Sequence, residues 1–264
     1  MKRWSDIFGT SRHSDFRKAV RIILAYLVDL VLPRSCLACG ELVAFHDGLC
    51  PACWKLADWI DSPLCDKTGE PFSYDLGPGA LSGEAIQKPP VFGKMRAVLI
   101  YSSIARSLVS GLKYKDRLEF AKTMGRWMAR SANELLLPDT IMVPVPLYWR
   151  RQLQRRANQS TLLATAMSRI TGHRVEQNIL LRGRNTQKQV GLSASQRESN
   201  VRGAFRVPDE MQKKLKGAHV ILVDDVYTTG ATLTAATHAL KRAGCEKVDV
   251  IVFARVVGTT DTSI

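Results

Sequence analysis

The chain has 264 residues, 45% of them hydrophobic and 23% charged. That length suits one or two domains of roughly 150 residues with a sizeable core, and the composition excludes disordered, collagen-like and disulfide-scaffold classes. Thirty-eight Lys and Arg against 24 Asp and Glu leave a net charge of +14, which favours polyanionic partners, phosphates or nucleic acid.

Residues 17–32 read as a helix, with Ala19, Ile23, Tyr26 and Leu30 three and four apart. Its apolar run, 22–32, has 11 residues and contains Asp29, whereas a membrane span needs about 20. Polar-rich residues precede the run and no small-residue cleavage site follows it, so a secretory signal is not expected. Pro33 ends the helix, and a cysteine-rich stretch follows from Cys36 to Cys65. Residues 68–90 carry Gly69, Pro71, Gly77, Pro78, Gly79, Gly83, Pro89 and Pro90, a density of breakers that marks a linker or long loop.

Beyond it, short apolar strands alternate with longer helices. Strands are expected at 97–101, 140–143, 219–223 and 247–254, and helices within 104–136, at 159–170 and at 231–242. Alternation of this kind, with near-continuous Val, Ile and Leu in the strands, implies an α/β fold whose parallel sheet is covered by helices on both faces. Ligands on such sheets bind at the carboxyl ends of the strands. No internal repeat is visible.

Two chemical signals stand out. Cys36-x2-Cys39 and Cys50-x2-Cys53, ten residues apart, can each wrap one edge of a tetrahedral ion. Four thiolates more than offset the charge of a zinc ion and leave no open position, so the site reads as structural. Cysteine use of this kind points to a reducing compartment and hence to the cytoplasm. Cys245 reads as an inert buried thiol, His46 as a loop histidine rather than a fifth ligand, and His219 and His238 as structural.

The second signal is the run from Val220 to Leu233. Val220-Ile221-Leu222-Val223 emerges into Asp224 and Asp225, and then a turn of Thr228, Thr229, Gly230, Ala231 and Thr232 opens a helix. Amides, hydroxyls and a helix N-terminus together suit a terminal phosphate, with Gly230 allowing close backbone approach. Adjacent carboxylates accept hydrogen bonds from neighbouring hydroxyls such as a ribose diol. Helix capping needs one such residue, and five stand in the nine positions 224–232. A Walker phosphate loop is absent, since no Gly-Lys-Ser/Thr occurs there.

This run resembles the phosphoribosyl-pyrophosphate (PRPP) signature of type I phosphoribosyltransferases. Val143-Pro144-Val145-Pro146, Arg150-Arg151, Arg155 with Asn158-Gln159, the stretch 180–184, Gln189, Arg197, Asn200-Val201 and Phe205 narrow the resemblance. With the upstream cysteines, the chain is similar to the ComF family of competence-related proteins over roughly residues 32–254. That family often carries a further Cys-x-x-Cys-Gly, whereas here Cys65 is followed by Asp66, Lys67, Thr68 and Gly69, so Cys65 is left either without a site or as a substitute ligand in the first.

The resemblance implies an N-terminal tail and helix (1–33), a zinc-ribbon module (34–70), a linker (71–95), a type I phosphoribosyltransferase-like domain (96–255) and a C-terminal tail (256–264). It implies that Asp224 and Asp225 hold the ribose hydroxyls and that Thr228, Thr229, Gly230, Ala231 and Thr232 hold the 5-phosphate. Pro144, Val145, Pro146, Arg150 and Arg151 would form the pyrophosphate loop, and Arg182, Arg184, Gln189 and Arg197 a flap that closes over the site. Magnesium would enter with PRPP. From Arg150 to Arg206 there are twelve Lys and Arg against two Asp and Glu, more charge than one pyrophosphate needs. Three functions fit: transfer of 5-phosphoribosyl to an acceptor, binding of single-stranded DNA or the DNA-uptake machinery, and PRPP sensing without turnover. An N-terminal-nucleophile glutamine amidotransferase is not expected, because the first cysteine, Cys36, belongs to the metal pairs.

Overall fold

The computed structural model describes residues 34–44, 47–114, 118–147, 157–183 and 203–257. The expected helix at 17–32 lies outside them. The main body is a sheet of five parallel strands, β1 (Met95–Ile100), β2 (Ile141–Pro144), β3 (Arg174–Val175), β6 (His219–Tyr227) and β7 (Lys247–Arg255), in the order β1-β7-β6-β2-β3. β4 (Leu181–Arg182) and β5 (Phe205–Arg206) form a separate antiparallel pair.

Alternation along the central strands divides the core in two. Ile221, Val223, Ile251 and Phe253 face one side, with α3 (Ser103–Tyr114), α4 (Leu118–Ser131) and α5 (Gln159–Thr171). Val220, Leu222, Val248, Val250 and Val252 face the other, with α7 (Ala231–Arg242) and, beside it, Leu215 at the end of α6 (Asp209–Leu215). A central strand covered on both faces must be apolar in consecutive positions, which is why these runs do not alternate in sequence.

The expected strands and helices of this body are present with small changes of boundary. One change matters. The strand expected to end at Val223 runs on to Tyr227, with Asp224 opposite Val252, Val226 opposite Ala254 and Tyr227 opposite Arg255. The acidic pair therefore sits on paired strand rather than in a loop.

The cysteine-rich segment packs against the α3–α4 face. Ser107 Oγ donates to the Ala38 carbonyl at 2.9 Å, and Thr123 Oγ1 to that of Asp47 at 2.9 Å. Residues 58–60 pair with β1, through Ile60 N–H to Val98 O at 3.0 Å and Ile100 N–H to Asp58 O at 2.9 Å. Trp54, Trp59 and Trp127 cluster at this junction, with ring centroids 4.3 Å apart for Trp54–Trp59 and 5.0 Å for Trp59–Trp127. The segment 71–95 holds a short helix, α2 (Gly83–Gln87), capped by Ser82. No helix of the described residues is long and apolar enough to cross a membrane.

Candidate functional site

The connection after β2 leads through α5 outward to β3, while the one after β6 leads through α7 the opposite way to β7. Strands β2 and β6 are neighbours, so their carboxyl ends flank the crevice where the winding reverses, the position at which open parallel sheets bind ligands. Pro144, Val145 and Pro146 leave one strand there, and Asp224 to Gly230 end the other.

A chain of hydrogen bonds ties the two strand ends together. Val145 N–H donates to Val223 O at 2.9 Å. Asn158, the N-cap of α5, donates its side-chain amide to Val145 O at 3.0 Å and accepts from Ser160 N–H at 3.2 Å. Ser160 Oγ in turn donates to Asp224 Oδ1 at 2.9 Å, and the Asp225 amide reaches the same oxygen at 2.9 Å.

The two carboxylates differ in environment. Burial raises the Asp224 carboxyl, the neighbouring Asp225 charge raises it further, and the hydrogen bonds from Asp225 N–H and Ser160 compensate only in part, leaving it at about 7. Asp225 is matched by Lys113, near the end of α3, whose Nζ lies 2.6 Å from Oδ2.

Past the strand, Thr228 and Thr229 are exposed, and Gly230 takes φ +72° as the N-cap of α7. A Cβ on Gly230 would lie 2.9 Å from the Tyr227 ring, so both the backbone angle and the close packing require glycine. No side chain caps α7. The N-terminus of a helix carries backbone N–H groups without intrahelical acceptors, and one that follows two exposed threonines at the carboxyl end of a sheet is of a kind that suits an anion. Behind the turn, Arg255 is buried at 2% exposure, lies over the Tyr227 ring at 5.8 Å and donates to Thr68 O at 2.6 Å.

The structure thus brings together Asp224, Asp225, the 228–232 turn and Pro144–Pro146. Arg182 lies in the β4–β5 pair, over the Phe205 ring at 5.3 Å. Arg150, Arg151, Arg184, Gln189 and Arg197 lie outside the described residues. Lys113, Ser160 and Arg255 join the site or its support without a signal of their own in the sequence, whereas Asn158 carried one through the Asn158-Gln159 pair.

The second centre is the cysteine cluster. The sulfurs of Cys36, Cys39, Cys50 and Cys53 lie within 4.8 Å of one another, with Cys39 and Cys50 at 3.8 Å. Zn–S bonds of roughly 2.3 Å in a tetrahedron set sulfurs about 3.8 Å apart, so this donor set fits zinc. Burial raises the Cys36 thiol, but backbone amides at Cys39, Cys50 and Ala38 outweigh it and bring the group down to about 6, close to its ligating form. Cys65 stands outside this cluster and does not substitute for a ligand in it. Cys245 is buried and raised to about 11 by desolvation, as an inert thiol should be. His219 is structural, bonded to Thr140 at 3.0 Å and to the buried Asp249 at 2.9 Å.

Together, a four-cysteine cluster that fits zinc and a parallel sheet with an acidic pair and a threonine-rich turn at its switch point define a zinc-ribbon protein with a phosphoribosyltransferase-like domain. Two family models match accordingly, the double zinc ribbon domain over residues 27–85 and the phosphoribosyl transferase domain over 161–262. The chain is 34% identical over 228 residues to the DNA utilization protein YhgH of Escherichia coli K12, covering 84% of this chain and 96% of that one. It is 31% identical over 227 residues to competence protein F of Haemophilus influenzae, covering 83% and 96%. The chain belongs to the ComF family. Among solved structures, the glutamine PRPP amidotransferase of Bacillus subtilis aligns at a TM-score of 0.34 and 21% identity over 50% of this chain and 25% of that one, too distant to carry weight.

Proposed function

We propose that the switch-point crevice binds PRPP as its magnesium complex and that the chain transfers 5-phosphoribosyl to an acceptor, releasing pyrophosphate. One observation carries this reading: the acidic pair and the uncapped, threonine-flanked N-terminus of α7 follow each other directly at the carboxyl end of β6. Asp224 and Asp225 accept hydrogen bonds from the ribose hydroxyls, and the 228–232 turn receives the 5-phosphate. The loop beginning at Pro144-Val145-Pro146 faces the pyrophosphate, with Arg150 and Arg151 offsetting the charge of the leaving group. Arg182, Arg184, Gln189 and Arg197 belong to the covering flap, whose closure excludes water from the activated sugar.

A second reading has its own support. The surplus of ten positive charges between Arg150 and Arg206, twelve minus two, exceeds the need of one pyrophosphate and suits a single-stranded DNA backbone.

The test is thermal stability with and without magnesium and PRPP, on the wild-type protein and on Asp224→Asn/Asp225→Asn. Ligand at a hundred times its dissociation constant should add about 2.7 kcal/mol, and the double variant should show no such gain. No gain in zinc-loaded wild-type protein overturns the PRPP reading and leaves DNA binding, which does not need the acidic pair. Pyrophosphate release across a panel of acceptors then separates transfer from sensing.

A further inference from the structure

Residues 63–87 repeat the backbone of residues 34–55, although their sequences share little. In the first segment Cys36 N–H donates to Glu41 O at 2.7 Å, Gly40 N–H to Cys36 O at 2.9 Å, Val43 N–H to Arg34 O at 3.0 Å and Leu37 N–H to Gly48 O at 3.0 Å. In the second, Cys65 N–H donates to Glu70 O at 2.8 Å, Gly69 N–H to Cys65 O at 2.8 Å, Phe72 N–H to Pro63 O at 2.9 Å and Asp66 N–H to Ala80 O at 2.8 Å. The isolated bridge Ser35–Leu42 has its counterpart in Leu64–Pro71. Gly40 and Gly69 both take positive φ, at 81° and 59°.

The correspondence extends through the ligand positions. Cys50 caps the five-residue helix α1 (Pro51–Lys55), and Ser82 caps the five-residue α2. Cys50 N–H donates to Cys36 Sγ at 3.2 Å, and Ser82 N–H to Cys65 Sγ at 3.2 Å. Cys53 N–H donates to Cys50 Sγ at 3.4 Å, and Ala85 N–H to Ser82 Oγ at 3.4 Å. Cys36, Cys39, Cys50 and Cys53 therefore superpose on Cys65, Thr68, Ser82 and Ala85.

That second set does not fit a structural zinc ion, which takes four thiolate or imidazole ligands. It offers one thiol, two hydroxyls and a methyl group. Among the described residues, the four cysteines at 36–53 are the only group able to gather three ligands.

We propose that this double ribbon holds one zinc ion, and that its second lobe keeps the ribbon fold without metal because the transferase-like sheet holds the lobe instead. The contacts that replace the ion are on hand. Where Cys39 is exposed, Thr68 is buried, and its carbonyl accepts from Arg255 Nη1 at 2.6 Å. Lys67 O accepts from Met95 N–H at 2.8 Å at the start of β1, and Asp66 O accepts from Arg96 Nη1 at 3.0 Å. A knuckle fixed at three successive residues by a sheet needs no ion to close it. Among the described residues the first lobe shows no equivalent set: its knuckle residues 37–39 meet the helices through one hydrogen bond, from Ser107 to Ala38 O.

The test is zinc content per chain by elemental mass spectrometry on the gel-filtered, full-length protein, in four forms. Wild type should hold one zinc, Cys65→Ala should still hold one, and Cys50→Ser/Cys53→Ser should hold none. Thr68→Cys/Ser82→Cys/Ala85→Cys should hold two, because the backbone already has the ribbon geometry. Two zinc ions in wild type overturn the proposal, as does a loss of zinc in Cys65→Ala. A triple-cysteine variant that stays at one overturns the claim that the second lobe keeps a ribbon geometry. Should that variant misfold, the wild-type and Cys65→Ala counts still decide the stoichiometry.

Discussion

Ser160 and Asp224 join a helix N-terminus to the acidic pair through a hydrogen bond of 2.9 Å, and it lands on the same oxygen, Oδ1, that accepts the Asp225 amide. Both donors from the described residues thus use one side of the carboxylate, and under the proposed reading Oδ2 meets the ribose. Ser160→Ala should leave the fold intact and weaken PRPP binding about tenfold, the equivalent of one hydrogen bond to a charged group. Isothermal titration calorimetry measures this, and an unchanged affinity means that Asp224 does not touch the ligand.

The raised Asp224 carboxyl makes a prediction about pH. Its folded value of about 7 lies above its unfolded value of 3.8, so the folded state holds a proton that the unfolded state has lost. Stability from this group falls as pH rises from about 4 to 7 and is level above that. Asp224→Asn, which mimics the neutral acid, should therefore be more stable than ligand-free wild type at pH 8, by on the order of 2 kcal/mol, with the gap closing towards pH 4. Urea titration across that range is the measurement. The same variant should lose its PRPP response, so lost binding cannot be mistaken for unfolding.

If ribose hydroxyls donate to the ionised carboxylate, PRPP affinity should rise between pH 6 and 8 and then level off. Burial and the Asp225 charge both favour the neutral acid, so ligand binding must drive the proton off. Affinity independent of pH across this interval would place the ribose elsewhere.

Gly230→Ala tests the turn. The substitution forces φ +72° on a residue with a Cβ and sets that atom against the Tyr227 ring. A stability loss of about 1–2 kcal/mol is expected, with a larger loss of PRPP affinity because the amides of the turn move. Equal losses in both would mark the glycine as purely structural.

How much of this could be read beforehand follows from the range of each interaction. The sheet and the threonine-rich turn are legible because Val220–Val223 and Thr228–Thr232 are contiguous, and a strand followed by a hydroxyl-rich turn is a local pattern. The end of β6 is not legible because Asp224 and Asp225 have the chemistry of loop residues, and only the partner strand β7 shows that they remain paired. Ser160 lies 64 residues from Asp224, and Lys113 further still from Asp225; no periodicity encodes such meetings. Of the ribbon repeat only Cys65 and Gly69 show in the sequence, because the other three ligand positions carry no thiol, while the hydrogen bonds that define it belong to the backbone.

Chelation of the zinc should lower the melting temperature by roughly 6 °C or more, given that metal binding to such a site is folding energy. Trp54 follows Cys53 directly and contacts Trp59, so intrinsic fluorescence should change in the same transition. A chelated protein with unaltered fluorescence and melting would mean that the α3–α4 face alone holds the ribbon.

The pairing of residues 58–60 with β1 also has a bearing on solubility. Strand β1 would otherwise be a six-residue margin of bare amide and carbonyl groups, the kind of template on which other chains add strands. At the opposite margin β3 is only two residues long, too short to recruit much. The ribbon therefore acts as a selvedge for the sheet, and a copy deprived of zinc should be prone to stack edge to edge with its neighbours well before its core unfolds.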